Sequence, residues 1–181
     1  EDPNRNAGVQ NIYPESVNTP FCIRTKIIIS PFAGNNNSPV FSTCPCPEYG
    51  CLNFPYYYNV GAYDPDGDSL AYEIVPCRGE NCAELTIPSE YQYPNTVPGA
   101  GGSFSIDPVT GTLTWDSPGL SGEFNFAIII TEYRSGVMLS QILHDVQVTI
   151  QNCSNFPPVI EPVPDTCVFA GDTIRRAITA V

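Results

Sequence analysis

Phe104-Ser-Ile-Asp-Pro-Val-Thr-Gly-Thr-Leu-Thr-Trp115, with Glu123-Phe-Asn-Phe-Ala-Ile-Ile-Ile130 close behind it, decides the fold. In the first stretch Phe104-Ser-Ile106 and Thr112-Leu-Thr-Trp115 flank Asp107-Pro-Val-Thr-Gly111, where Pro and Gly suit a tight reversal between two strands. In the second, Phe124, Phe126, Ile128 and Ile130 alternate with Glu123, Asn125, Ala127 and Ile129. That is the two-residue period of a strand with one strongly apolar face. Upstream, Leu70, Tyr72 and Ile74 alternate with Ala71, Glu73 and Val75. Downstream, Glu132-Tyr-Arg-Ser-Gly-Val137 supplies a second reversal before a final strand. With no helical period between them, such short strands predict an all-β, two-sheet sandwich.

Composition agrees. The 181 residues include 19 Pro and 14 Gly, which interrupt the chain often, and 10 Tyr and 9 Phe, which favour strands. Nineteen acidic residues stand against seven basic ones, and Lys26 is the only lysine. No basic groove can be assembled from that set, so nucleic acid is excluded as a partner. Cations suit the surface better, although excess charge also serves solubility alone.

Eight cysteines, an even number spread through loop-like sequence, suit disulfides and an oxidising, extracellular compartment. A zinc knuckle needs two closely spaced ligand pairs, and Cys44-Pro45-Cys46 is too tight to provide one. Cys77 and Cys82 could close one short loop and Cys153 and Cys167 another; the pairing of Cys22, Cys44, Cys46 and Cys51 cannot be read from spacing. No apolar run approaches the ~20 residues of a membrane span.

Two segments match each other without gaps about 119 residues apart, at the scale of a tandem domain repeat. Ile23, Ile27, Ile29 and Pro39-Val-Phe41 face Ile142, Val146, Val148 and Pro158-Val-Ile160. The match suggests the last strand of one domain running into the first strand of the next. On that reading residues 1–37 end an upstream domain or form a donated strand, 38–153 form a complete domain, and 154–181 form a junction and the start of another.

The stretch richest in chemistry is Ala62-Tyr-Asp-Pro-Asp-Gly-Asp-Ser-Leu-Ala-Tyr72. Asp64, Asp66 and Asp68 alternate around Gly67, so a turning backbone can converge their carboxylates on one hard cation such as calcium. An EF-hand loop needs Gly and Glu where this chain has Ser69 and Val75. The alternative is a solvated acidic turn built on Pro65 and Gly67.

Ser38-Pro-Val-Phe41, this acidic turn, Phe104-Ser-Ile-Asp-Pro-Val-Thr-Gly111 and the closing strand follow one another in the order seen in cadherin-like and related Ig-like repeats, which the chain resembles over most of residues 35–160. Trp115, Glu132-Tyr-Arg134, Asp145-Val-Gln-Val148 and Cys153-Ser-Asn155 resemble more narrowly the large surface proteins of Bacteroidota. These include gliding-motility-associated and adhesin-like proteins, typically exported by type IX secretion. The resemblance implies a rod of Ig-like domains on the cell surface, stiffened by calcium in some members. Its partners would be neighbouring repeats of the same or identical chains. By position, Asp64, Asp66 and Asp68 match the cation-binding run, and Glu132 falls near a further acidic ligand. Asn35, Asn36 and Asn37 stand where cadherins carry an Asp-containing linker, which favours one ion over a cluster.

Catalysis finds no support in the residues. His144 is the only histidine, and on a strand its neighbour Asp145 points to the opposite face, so no relay forms. Tyr-rich stretches around Tyr57 and Tyr91 offer rings that could contact surface glycans or proteins, with core packing as the other outcome for alternating residues. A structural repeat is thus the first expectation, an adhesin module the second, and an accessory domain of a secreted enzyme the third.

Overall fold

A computed structural model describes residues 4–29, 31, 34–43, 48–154, 171 and 175. Among the described residues there are ten strands: β1 (Arg24–Ile27), β2 (Val40–Phe41), β3 (Glu48–Cys51), β4 (Tyr56–Tyr58), β5 (Ala62–Tyr63), β6 (Ser69–Val75), β7 (Phe104–Ile106), β8 (Leu113–Trp115), β9 (Gly122–Arg134) and β10 (Val137–Gln151). The larger sheet has the order β1-β10-β9-β6, with β3 joining β10 in parallel. A three-stranded sheet, β4-β8-β7, and the pair β2-β5 complete the all-β sandwich.

The expected hairpin is β7-β8. Asp107 Oδ1 accepts from the backbone N–H groups of Val109 and Thr110, and Gly111 N–H returns to the Asp107 carbonyl. Gly111 has φ +71°, and a Cβ there would meet the Tyr72 ring at 2.6 Å, so both the backbone conformation and the packing require glycine. The second reversal is narrower than the Glu132-to-Val137 stretch suggested. Only Ser135 and Gly136 turn, both at positive φ, while β9 and β10 run on as a 13- and a 15-residue ribbon.

The main core lies between the sheets. Phe124, Phe126, Ile128 and Ile130 of β9 and Val146, Val148 and Ile150 of β10 pack against Tyr56, Leu113 and Trp115. Trp115 is fully buried and donates its indole N–H to the Gly101 carbonyl at 2.9 Å, so its polar edge is satisfied inside the core. Truncating it to alanine should cost about 3–5 kcal/mol.

The other face of the ribbon is also covered. Ala127 and Leu143 belong to a second cluster with Val9, Ile12, Cys22, Cys77 and Tyr91. Burial on both sides explains why the β9 sequence is almost continuously apolar and why Asn125 is buried within it. Asn125 N–H donates to Asn11 Oδ1, and Asn11 Nδ2 donates to the Asn125 and Gln92 carbonyls.

Residues 4–27, expected to close an upstream domain or to act as a donated strand, are bound here to the same chain's sandwich. Arg5 forms a bidentate pair with Asp145 at 2.8 and 2.5 Å with both side chains fully buried, and its guanidinium lies 4.3 Å from the Phe21 ring centre. The two segments that matched about 119 residues apart, at a repeat-like period, are neighbours in one sheet, with Arg24 opposite Leu143 and Ile27 opposite Ser140. The expected junction at 154–181 lies, apart from Ser154, Gly171 and Arg175, outside the described residues.

The disulfides differ from the short loops anticipated. Cys82 bonds to Cys22, not to Cys77, and Cys153 bonds to Cys51. Cys77 points inward beside Tyr91 and Asp145 as a buried thiol, whereas Cys82, on the 3-10 turn Glu80–Cys82, meets the incoming N-terminal segment. Parallel pairing of β3 with β10 sets Cys51 opposite Gln151, which brings Cys153 within reach of Cys51. Cys167, Cys44 and Cys46 lie outside the described residues.

A candidate cation site at the acidic turn

The turn between β5 and β6 is held by its own first aspartate. Asp64 Oδ1 accepts from the backbone N–H of Asp66 at 2.9 Å and of Asp68 at 3.0 Å, and Gly67 N–H reaches the Asp64 carbonyl. Gly67 sits at φ +82°, the left-handed conformation that closes the turn. One carboxylate oxygen from each of Asp64, Asp66 and Asp68 lies within 4.8 Å of the others.

Asp66 and Asp68 each have a different further partner. Asp66 accepts from the Asn37 backbone N–H at 2.6 Å and from Asn37 Nδ2 at 2.9 Å. Asp68 accepts both arms of Arg134, Nε at 2.8 Å and Nη2 at 2.6 Å, and only 7% of its side chain is exposed. The same guanidinium lies 3.6 Å from Asp66 and donates to the Asn35 carbonyl at 3.0 Å and to Asn36 Oδ1 at 2.9 Å. The Asn37 amides hold the Asp66 carboxyl below its ordinary range, and the Arg134 fork does the same for Asp68.

Two oxygens distinguish this turn from a solvated one. Asp64 Oδ2 is buried without a hydrogen-bond partner, and so is Oε1 of Glu132, a residue with no exposed surface. Glu132 lies opposite Leu70 on β9, one residue pair from the start of β6, and its Oε2 is bonded by the Ser140 hydroxyl. Its carboxyl faces that of Asp68 within hydrogen-bonding reach, yet two carboxylates contain no donor between them. A buried oxygen in this state costs free energy unless a cation or proton meets it. The all-oxygen donor set and the unsatisfied buried oxygens fit a hard divalent ion such as calcium.

The other anticipated residues are placed differently. Tyr57 is 65% exposed at the centre of β4, between buried Tyr56 and half-buried Tyr58. Tyr91 is corrected: it is fully buried against Ala127 and Cys77, with its hydroxyl directed at the Asn125 carbonyl, and offers no ring to a ligand. Its strand-like surroundings concealed that the 4–22 segment covers it. His144 is packed between Phe41 and Tyr58, with Nε2 2.9 Å from the Tyr58 hydroxyl, and burial lowers its pKa. Asp145 points the other way, to Arg5.

No protein-family model matches the chain, and neither does any curated protein sequence. Among the described residues, no helix is long and apolar enough to cross a membrane.

Proposed function

We propose that this chain is a structural, adhesive repeat of an extracellular surface protein of the Bacteroidota type, and that calcium bound by Asp64, Asp68 and Glu132 stabilises it. The observation carrying this reading is the pair of unsatisfied buried oxygens, Asp64 Oδ2 and Glu132 Oε1, on a three-aspartate turn. Two disulfides on an all-β sandwich support an oxidising compartment. The order of motifs along the chain supports the kinship with cadherin-like repeats. The role is mechanical: the cation neutralises a turn whose charges repel, and it ties the β5-β6 connection to β9. Neighbouring repeats, of the same or identical chains, are the partners of such a module.

The test is thermal unfolding of the intact chain and of Asp64→Asn, each with calcium chloride and with chelator. Calcium should raise the melting temperature of the parent chain, and the substitution should abolish most of that rise. Equal melting temperatures with and without calcium in the parent would refute the cation role. The exposed ring of Tyr57 favours a second reading, direct contact with a surface glycan or protein. Loss of surface adhesion in a folded Tyr57→Ala variant would support it, and unchanged adhesion would remove Tyr57 from consideration.

A further inference from the structure

Arg134 makes a set of contacts that differs from an ordinary surface ion pair. Its guanidinium binds both oxygens of Asp68, the Asn35 carbonyl and the Asn36 side-chain oxygen, and lies 3.6 Å from Asp66. Every one of these groups is an oxygen. Asp64 belongs to the same carboxylate cluster and Glu132 pairs opposite Leu70, so counting their unsatisfied Oδ2 and Oε1 the oxygens number what calcium's shell of six to eight requires. The arginine therefore gathers, from three separate parts of the chain, ligands that a calcium ion would use.

We propose that Arg134 is a built-in surrogate cation that occupies part of the calcium site and must withdraw from Asp68 when calcium binds. The inference rests on the calcium reading above and deepens it by naming what regulates the site. Three physical points carry it. A guanidinium forked across both oxygens of Asp68 covers the edge of the carboxylate that a bidentate cation would use, so the two compete for it. Two positive charges a few ångströms apart repel, even beside the surplus of carboxylates here. The Arg134 side chain is 31% exposed, so a solvent-facing path for withdrawal exists.

One consequence concerns residues 35–37. Without calcium, Arg134 holds Asn35 and Asn36 while Asp66 holds Asn37. When Arg134 withdraws, the Asn35 carbonyl and the Asn36 amide oxygen lose their donor and become available to the ion. The segment entering β2 is thereby transferred from an arginine tether to a metal tether. Calcium then sets not only the stability of the turn but also how the preceding segment is attached to it.

The experiment is calcium titration by calorimetry of the parent chain, Arg134→Gln and Arg134→Lys, with folding checked by near-ultraviolet circular dichroism. Removing the competing charge in Arg134→Gln should tighten calcium binding by tenfold or more. Arg134→Lys, which keeps the charge, should stay within a few fold of the parent. In the parent, the Arg134 Nε–H resonance should lose its hydrogen-bonded shift as calcium saturates the site. Binding in Arg134→Gln that is equal to or weaker than the parent would overturn the surrogate role and leave the calcium site standing. Absence of calcium binding in all three folded proteins would overturn both. Binding in Arg134→Gln alone would overturn the withdrawal and the calcium reading of the parent together, leaving Arg134 as the permanent occupant of the site.

Discussion

Among the described residues two arginine forks grip aspartates, and they differ in what surrounds them. Arg5 and Asp145 meet one to one with no exposed side-chain surface, and Arg5 also donates to the Arg78 carbonyl and covers the Phe21 ring. Arg134 meets Asp68 in a partly exposed place where Asp64, Asp66 and Glu132 add further negative charge. The first pair is balanced, so its two charges answer each other and attach the N-terminal segment to the sheet. The second is outnumbered, so acid remains after the arginine has paired. Similar local geometry therefore yields a structural clamp in one region and a candidate ion site in the other. The charge left over decides between them.

The comparison can be broken at its buried end first. Arg5→Ala leaves Asp145 buried without a counter-charge, and urea unfolding should show a loss of about 3–5 kcal/mol. Replacing both partners together, as Arg5→Met with Asp145→Leu, should recover most of that loss, because the cost lies in the orphaned charge more than in the missing pair. A double replacement as damaging as Arg5→Ala would mean that packing of the N-terminal segment, not charge balance, dominates there.

Next in size is the bridge between β3 and the end of β10. The Cys51–Cys153 bond closes a separation of 102 residues, and in the chain-entropy account a loop of that size contributes about 4.7 kcal/mol at most, with measured values commonly lower. Cys51→Ser with Cys153→Ser should lower stability by about 2–4 kcal/mol in denaturant titration. The calcium-dependent shift should survive that change, since the acidic turn and β9 do not depend on this bridge.

Smaller effects depend on pH. Asp66 and Asp68 are held below their ordinary range, so their contribution is present above the unfolded carboxylate value near ~3.9 and is lost as pH falls through the lowered folded values. Melting temperatures measured between about pH 5 and pH 2 should fall less steeply in Asp68→Asn than in the parent. His144 behaves in the same direction at higher pH. Its folded pKa is lowered by burial, so stability declines as pH drops from the unfolded value near ~6.5 toward that lowered value. His144→Gln should flatten the profile in that window alone.

The sequence carried a good deal of this arrangement. The β7-β8 reversal was legible because Asp107, Pro108 and Gly111 each satisfy a local requirement of the turn, and local requirements appear in adjacent letters. The acidic turn was legible for the same reason, since Asp64, Asp66 and Gly67 organise one another within five residues. What escaped depends on distant parts of the chain. Arg134 reaches the turn because β6 and β9 are paired, and nothing in Glu132-Tyr-Arg134 itself reveals which carboxylate that arginine meets. For Tyr91 the alternation leaves ligand contact and core packing both open, and the fold of residues 4–22 over it decides for the core. The cysteines show the same limit, because Cys22 meets Cys82 only once the N-terminal segment, which also carries Arg5 to Asp145, lies against the sheet. The resemblance of β1 to β10 is informative in a different way: the two similar sequences pair with each other, as strands sharing one sheet and similar packing demands.

The most direct test of the central claim is the anomalous scattering of calcium in crystals of the intact chain grown with calcium chloride. The account predicts a single strong peak about 2.3–2.6 Å from Asp64 Oδ2, Asp68 and Glu132 Oε1, with the Arg134 guanidinium moved away from Asp68. A map with no peak at saturating calcium, and with Arg134 still bound to both oxygens of Asp68, would contradict it.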